Sequence, residues 1–224
     1  MSSLQLLSLH IPKTAGTSFY STLEEAYGFS KVSRFDIKPN IQQVLLNHLP
    51  YVESVLPATF QVLHGHFAIE EMYRLFPAAQ QYPMITWLRH PVERVVSNYF
   101  YLKERLQFFM KEHEQNRAIL DKMMKTIEEF AASPINQNRM SSFLQGKPLQ
   151  EFHFVGIQEF YQEDLAYLGQ LLQRNLVAFE VNKTAHKESQ LDPSIIQLIE
   201  HYNAADMALY QQALELRKHR KVLL

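Results

Sequence analysis

Between residues 7 and 18 the chain reads Leu-Ser-Leu-His-Ile-Pro-Lys-Thr-Ala-Gly-Thr-Ser, and that order leaves few folds open. Leu4, Leu6, Leu7, Leu9 and Ile11 form an apolar run that reads as a buried strand, and Pro12 ends it. Lys13, Thr14, Ala15 and Gly16 make a short loop of small residues around one cation. Thr17 and Ser18 then open a helical pattern over Phe19, Leu23 and Ala26. A strand, a small-residue loop and a helix together present backbone N–H groups and a helix N-terminus to an anion. Lys13 adds a full positive charge at the same spot, so the stretch reads as a phosphate or sulfate cradle. It is not a Walker A loop, G-x-x-x-x-G-K-[ST]: the lysine precedes the glycine and the first glycine is missing. That disfavours an ordinary ATPase or GTPase. On these residues alone, a plain turn between strand and helix is the competing reading.

Composition narrows the partners. The net charge is −1, so no global basic field points to nucleic acid, and any anion site must be local. The absence of cysteine excludes disulfide frameworks, thiolate zinc sites and cysteine nucleophiles. With 46% hydrophobic and 20% charged residues, the 224 residues suit one globular domain, 1–224, with a sizeable core. No signal peptide or membrane-length apolar run is visible. The expectation is a soluble, cytoplasmic protein, unless truncation has removed a Golgi-type anchor. The oligomeric state is not legible.

Along the chain, Tyr27-Gly28 stops the first helix, and residues 30 to 39 are mixed and polar. Asn40 suits the cap of a short helix over Ile41, Val44, Leu45 and Leu49. Phe60, Val62 and Leu63 read as a second strand, followed at once by His64-Gly65-His66. Residues 68 to 76 look helical. Met84 to Leu88 read as a third strand that ends in Arg89-His90-Pro91, and Pro91 suits the first turn of a helix through Val92, Val95, Val96, Tyr99 and Leu102. Residues 104 to 132 carry a charged, Met-rich helical pattern that Ser133-Pro134 interrupts; about 104–150 reads as a helical insertion or lid. Phe152, Phe154, Val155 and Ile157 form a strand candidate broken by Gly156. Residues 159 to 173 look helical, and Leu176 to Val181 read as a fifth strand. Asp192-Pro193 signals the start of one long helix that carries Ile195 through Leu214. Strands alternating with helices predict a three-layer α/β sandwich with a mainly parallel central sheet, P-loop-like in character.

Ligands of such sheets bind beyond the carboxyl ends of the strands. Lys13–Ser18, His64–His66 and Arg89–Ser97 all fall there. An arginine fork at Arg89 and a hydroxyl at Ser97 suit a second phosphate. Their plain alternatives are a salt bridge at the sheet edge and a solvated helix position. Arg94 reads as a surface or ion-pairing residue, and Trp87, Val92, Val95, Tyr99 and Phe100 as core or pocket wall. In extended backbone His64 and His66 point the same way, and either imidazole suits a general base near neutral pH. The pair suits a metal less well, since no His-E-x-x-His helix and no cysteine accompany it.

His10 to Ser18 resembles the 5′-phosphosulfate loop of sulfotransferases. Leu88 to Tyr101 is similar to their 3′-phosphate element, R-D-P-x-x-R-x-x-S-x-Y. His-Gly-His resembles the matching segment of the heparan sulfate and uronyl 2-O-sulfotransferase type. Phe154 to Glu159 is similar to its V-G-x-x-E element. The likeness runs in order from residue 7 to about 217 and is weak between 104 and 150. It implies 3′-phosphoadenosine 5′-phosphosulfate (PAPS) as co-substrate, 3′-phosphoadenosine 5′-phosphate (PAP) as product, and no metal. Lys13, Thr14, Ala15, Gly16, Thr17 and Ser18 would hold the phosphosulfate, and Arg89 and Ser97 the 3′-phosphate. Lys183 and Thr184 lie where relatives contact the nucleotide. His66 would be the base, with His64 beside it and Lys13 countering charge on the leaving group. His90 stands where the family pattern has aspartate.

The resemblance further implies in-line sulfuryl transfer to a hydroxyl-bearing acceptor, on a glycan or a small molecule. Residues 101 to 150 would shape the acceptor pocket. Lys103, Arg105 and Arg139 are available to an acidic glycan, although solvated helix charges are the commoner fate. Two other readings compete. A P-loop-like nucleotide kinase or hydrolase would need a Walker B carboxylate, which no strand end offers. A catalytically inactive nucleotide- or glycan-binding protein would keep the fold without the chemistry.

Overall fold

The computed structural model describes residues 3–38, 42–112, 124–179 and 191–221. Strands β1 (Leu6–Leu9), β2 (Val32–Lys38), β3 (Gln43–Leu46), β4 (Leu49–Pro50), β5 (Val62–Gly65), β6 (Met84–Leu88) and β7 (Phe154–Ile157) form one seven-stranded sheet in the order β4-β3-β2-β5-β1-β6-β7. Neighbours from β2 to β7 pair in parallel; β3 alone is reversed, pairing antiparallel with both β2 and β4. The chain crosses from β5 to β6 on opposite sides of β1, and this reversal places a crevice at the carboxyl end of β1.

Helices cover both faces, as expected of a three-layer α/β fold. On one face α1 (Gly16–Tyr27) and α6 (Tyr161–Leu172) lay Phe19, Leu23, Leu165 and Leu168 over Leu6, Val32, Val62 and Phe154. On the other, α2 (Ile69–Leu75), α5 (Arg139–Leu144) and α8 (Ala204–Lys221) pack Met72, Met140, Phe143 and Ala213 with Leu7, Leu9, Leu63 and Phe35. A third cluster joins α3 (Pro91–Glu112), α4 (Ile127–Ala132) and α7 (Pro193–Tyr202) through Val92, Val95, Phe130 and Ile199. Trp87 and Tyr99 are buried, as expected. No helix of the described residues is long and apolar enough to cross a membrane.

Five expectations need correction. Residues 32–38, which looked mixed and polar, form β2. It is buried on both faces, and Ser33, Arg34 and Asp36 interrupt the apolar run. The helix expected over Ile41 to Leu49 is instead, within the described residues, the β3–β4 hairpin. Asn47 and His48 both take left-handed φ, 48° and 69°, which is what a two-residue hairpin turn needs. The Asn47 carboxamide oxygen fixes that turn by accepting from Ser33 Oγ and Arg34 N, each at 3.0 Å. Gly156 does not break its strand: β7 passes through it opposite Trp87, whose indole occupies the space a Cβ would need. The long C-terminal helix divides at Asn203, which is buried with its side chain bonded to Ile199 O and Asn138 N. Leu176 to Phe179 form no strand, and the rest of that expected strand lies outside the described residues. The N-cap at Asp192 is as read: its carboxylate accepts from Ser194 N at 2.8 Å.

Candidate active site

Strand register builds the site. On the face turned to α1, β1, β5 and β2 first align Leu6, Val62 and Val32, then Ser8, His64 and Arg34. Two residues on, by the period of a strand, come His10, His66 and Asp36. An apolar row is thus followed by two polar rows that climb towards the crevice.

In the inner row Ser8 and His64 are closed to solvent. His64 is 2% exposed, and its Nδ1 lies 2.9 Å from Ser8 Oγ. Burial first, then the nearby His66 and Arg34, lowers its pKa to about 3. The outer row is more open. His66 N donates to Asp36 Oδ1 at 2.7 Å, and His66 Nδ1 lies 2.7 Å from the His10 carbonyl. A carbonyl only accepts, so Nδ1 carries the proton and Nε2 keeps its lone pair. Burial lowers the His66 pKa despite the opposing pull of that hydrogen bond and of Asp36. His10 is held well below 6.5, by burial first and then by His66 and His64. All three rings are therefore neutral at pH 7.

The loop beside them is strained. Lys13 and Ala15 take left-handed φ of 73° and 68°, a conformation few non-glycine residues adopt. Between them Thr14 is buried, and its Oγ1 donates to Ile11 O at 2.9 Å. Helix α1 begins at Gly16 with Ala15 as N-cap, so no side chain caps it. The first-turn N–H groups are left to be met by something other than an N-cap oxygen. Lys13 Nζ sits 3.8 Å from the centroid of the Tyr101 ring. Burial first, then Arg89, lowers the Lys13 pKa to about 8 against the opposing Glu104.

Arg89 joins β6 to this loop: Nη1 lies 3.4 Å from the Lys13 carbonyl, and Nη2 donates to Glu93 Oε2 at 3.0 Å. Glu93, Ser97 and Tyr101 are spaced by four and share one face of α3. Since Glu93 holds Arg89 and Tyr101 covers Lys13, buried Ser97 lies on the face turned to the loop. Arg94 points elsewhere. It is buried, donates to Asn136 O at 3.0 Å and lies 4.0 Å from Asp206, so its role is structural rather than at the surface. At His90 the carboxylate comes from the 3-10 turn after β7: His90 N donates to Glu159 Oε1 at 2.8 Å, and Tyr210 OH donates to Glu159 Oε2 at 3.1 Å. Lys183 and Thr184 lie outside the described residues.

The profile of the Sulfotransferase family matches residues 2–212, a span that contains every residue of this crevice. The chain belongs to the sulfotransferase family. Two solved sulfotransferase structures resemble it. Mouse SULT7A1 complexed with PAP is 11% identical, with a TM-score of 0.45 over 92% of this chain and 67% of that one. The sulfotransferase from Alicyclobacillus acidocaldarius is 13% identical, with a TM-score of 0.46 over 93% of this chain and 94% of that one. No curated protein matches in sequence.

In this sulfotransferase the sequence motifs converge: Lys13, His66 and Arg89 follow β1, β5 and β6, three adjacent strands. From the sequence, His10, Asp36 and Glu93 carried no role of their own, and Tyr101 only a place in the acceptor-pocket segment. His10 and Asp36 follow Ser8 and Arg34 by two residues, a signal usable only once β2 is known to be a strand. Glu93 and Tyr101 carry the spacing of the α3 face, but nothing local ties that face to Lys13.

Proposed function

We propose that this sulfotransferase moves a sulfuryl group from PAPS to an acceptor hydroxyl, with His66 as general base. The observation that carries this reading is the approach of Arg89 to the Lys13 carbonyl at 3.4 Å, with His66 at the end of the neighbouring strand β5. The residues fit an anion carrying two phosphate ends. The uncapped start of α1 and the Lys13–Ser18 loop suit the phosphosulfate. Arg89 and Ser97 suit the 3′-phosphate, with Glu93 holding the guanidinium in place beforehand. When bound, PAPS supplies the sulfuryl group. His66 Nε2 takes the acceptor proton as the acceptor oxygen bonds to sulfur and the bond from sulfur to the bridging phosphate oxygen breaks. Lys13 and the loop N–H groups offset the charge left on that oxygen. Buried His64, tied to Ser8, supports the site from beneath.

We take the acceptor hydroxyl to belong to a carbohydrate, on the side of a single domain that the described residues of 104–150 form. Arg139 of that segment is near enough to His66 to oppose its protonation. Thermal unfolding tests the nucleotide: PAP at a hundred times its Kd should stabilise the fold by about 2.7 kcal/mol, and Mg-ATP and 5′-AMP at equal concentration by less. Greater stabilisation by Mg-ATP would favour a kinase or hydrolase. PAP binding without sulfate transfer to any hydroxyl acceptor would favour an inactive binding protein.

The depressed Lys13 pKa adds a pH test. A bound anion favours protonated Lys13, which the free protein loses above pH of about 8. The Kd for PAP should therefore rise above that pH by at most about tenfold per unit, with matching proton uptake in calorimetry. Lys13→Arg should flatten the profile, because arginine stays charged. A flat profile in the unsubstituted protein would remove Lys13 from the contact.

A further inference from the structure

We infer that His10 is a positioning residue whose imidazole sets the spacing between the anion loop and the base. The inference rests on the sulfuryl-transfer reading above and concerns a residue that reading leaves without a role.

Three contacts carry it. First, Gly16 lies against the flat of the ring: a Cβ there would overlap His10 Cδ2, Nε2 and Cε1. Gly16 is the first residue of α1, in a backbone conformation open to any residue, so the ring and not the backbone calls for glycine. Second, the ring lies against the histidine pair. Its centroid is 4.2 Å from that of His66 at an interplanar angle of 31°, and 5.2 Å from that of His64 at 23°. Third, the His10 backbone grips the strand carrying that pair. His10 N donates to Gly65 O at 2.8 Å, and His10 O accepts the Nδ1 proton of His66.

One residue thus touches the first turn of the helix that meets the anion and the ring that takes the proton. In-line transfer needs base and leaving-group donors on opposite sides of one sulfur, so their separation must match the reacting atoms. The carbonyl of His10 chooses the tautomer of His66, and the ring wedges His66 away from Gly16. A smaller side chain keeps the carbonyl and loses the wedge.

A double-mutant cycle over His10→Ala and Gly16→Ala tests this, read by unfolding midpoint, PAP affinity and steady-state kinetics. His10→Ala should lower kcat by about 10- to 100-fold, the scale of a small misplacement of a reacting group, with the KM for PAPS changed less than about threefold because Lys13 and the loop remain. Gly16→Ala should lower the midpoint and weaken PAP binding by about tenfold or more, since its methyl drives ring and loop apart. Adding His10→Ala should restore both, while kcat stays at the His10→Ala level. If Gly16→Ala fails to fold, a folded double variant is itself the rescue.

Additive effects in midpoint and affinity would overturn the inference, and so would a full kcat in His10→Ala. Failure of the functional reading looks different: the unsubstituted protein would neither bind PAP nor transfer sulfate, while the midpoints would still report whether ring and methyl collide.

Discussion

Turnover of His66→Ala is expected to fall by about 10²–10⁴-fold, the usual span for loss of a general base, while PAP affinity stays within about twofold of the parent because the variant leaves both phosphate sites untouched. The asymmetry follows from where the ring sits. Its Nδ1 is committed to the His10 carbonyl, its backbone N–H to Asp36, and Nε2 is left as a lone pair at the end of β5. Burial lowers its pKa, so the base is already unprotonated at neutral pH. The acid limb of kcat/KM should accordingly have its midpoint below the ordinary histidine value of about 6.5. Steady-state kinetics with calorimetric PAP titration would separate the two effects. Unchanged turnover would remove His66 from the role, and a matching loss of PAP affinity would show that the ring serves binding instead. His64→Ala should act through stability rather than pH, because that ring is 2% exposed beneath the site.

The largest expected loss of stability belongs to Asp206→Ala. Asp206 is 0% exposed, yet it anchors three donors of α5: Met140 N at 3.0 Å, Ser141 N at 2.7 Å and Ser141 Oγ at 2.8 Å. It also faces the buried Arg94 guanidinium at 4.0 Å. Burial lowers the Arg94 pKa to about 10 even though Asp206 raises it, so the guanidinium is charged at pH 7. Alanine would leave a buried cation without its counter-charge and two helix N–H groups without an acceptor. The cost of breaking such a pair is about 3–5 kcal/mol, to be read from the denaturant midpoint at constant slope. Asp206→Asn keeps an acceptor for α5 and should cost less. A loss under about 1 kcal/mol in Asp206→Ala would show that Arg94 draws its compensation from elsewhere.

Local order along the chain was enough for the parallel α/β sheet and for the strand, loop and helix start of the proposed phosphate cradle. A buried strand needs an apolar run, and an anion-binding turn needs small residues at a helix start. Leu6 to Ser18, Val62 to His66 and Met84 to Pro91 each satisfy those needs within a few residues, without help from distant parts. Residues 32–50 misled because their structure depends on partners. β2 is apolar only in patches, and Asn47 turns the hairpin by reaching back to Ser33 and Arg34. Those contacts form only when the strands already lie side by side.

The crevice shows the same division. That Lys13, His66 and Arg89 follow strands is written in the order of residues along the chain. Which imidazole is entombed, which nitrogen keeps its lone pair, and why residue 16 must be glycine were settled by folding. Strand register places Ser8 beside His64 and His10 against His66, and burial then fixes proton positions that free imidazoles would exchange in water. Type and spacing of side chains are local properties; dielectric, tautomer and steric fit come into being only when separate strands meet.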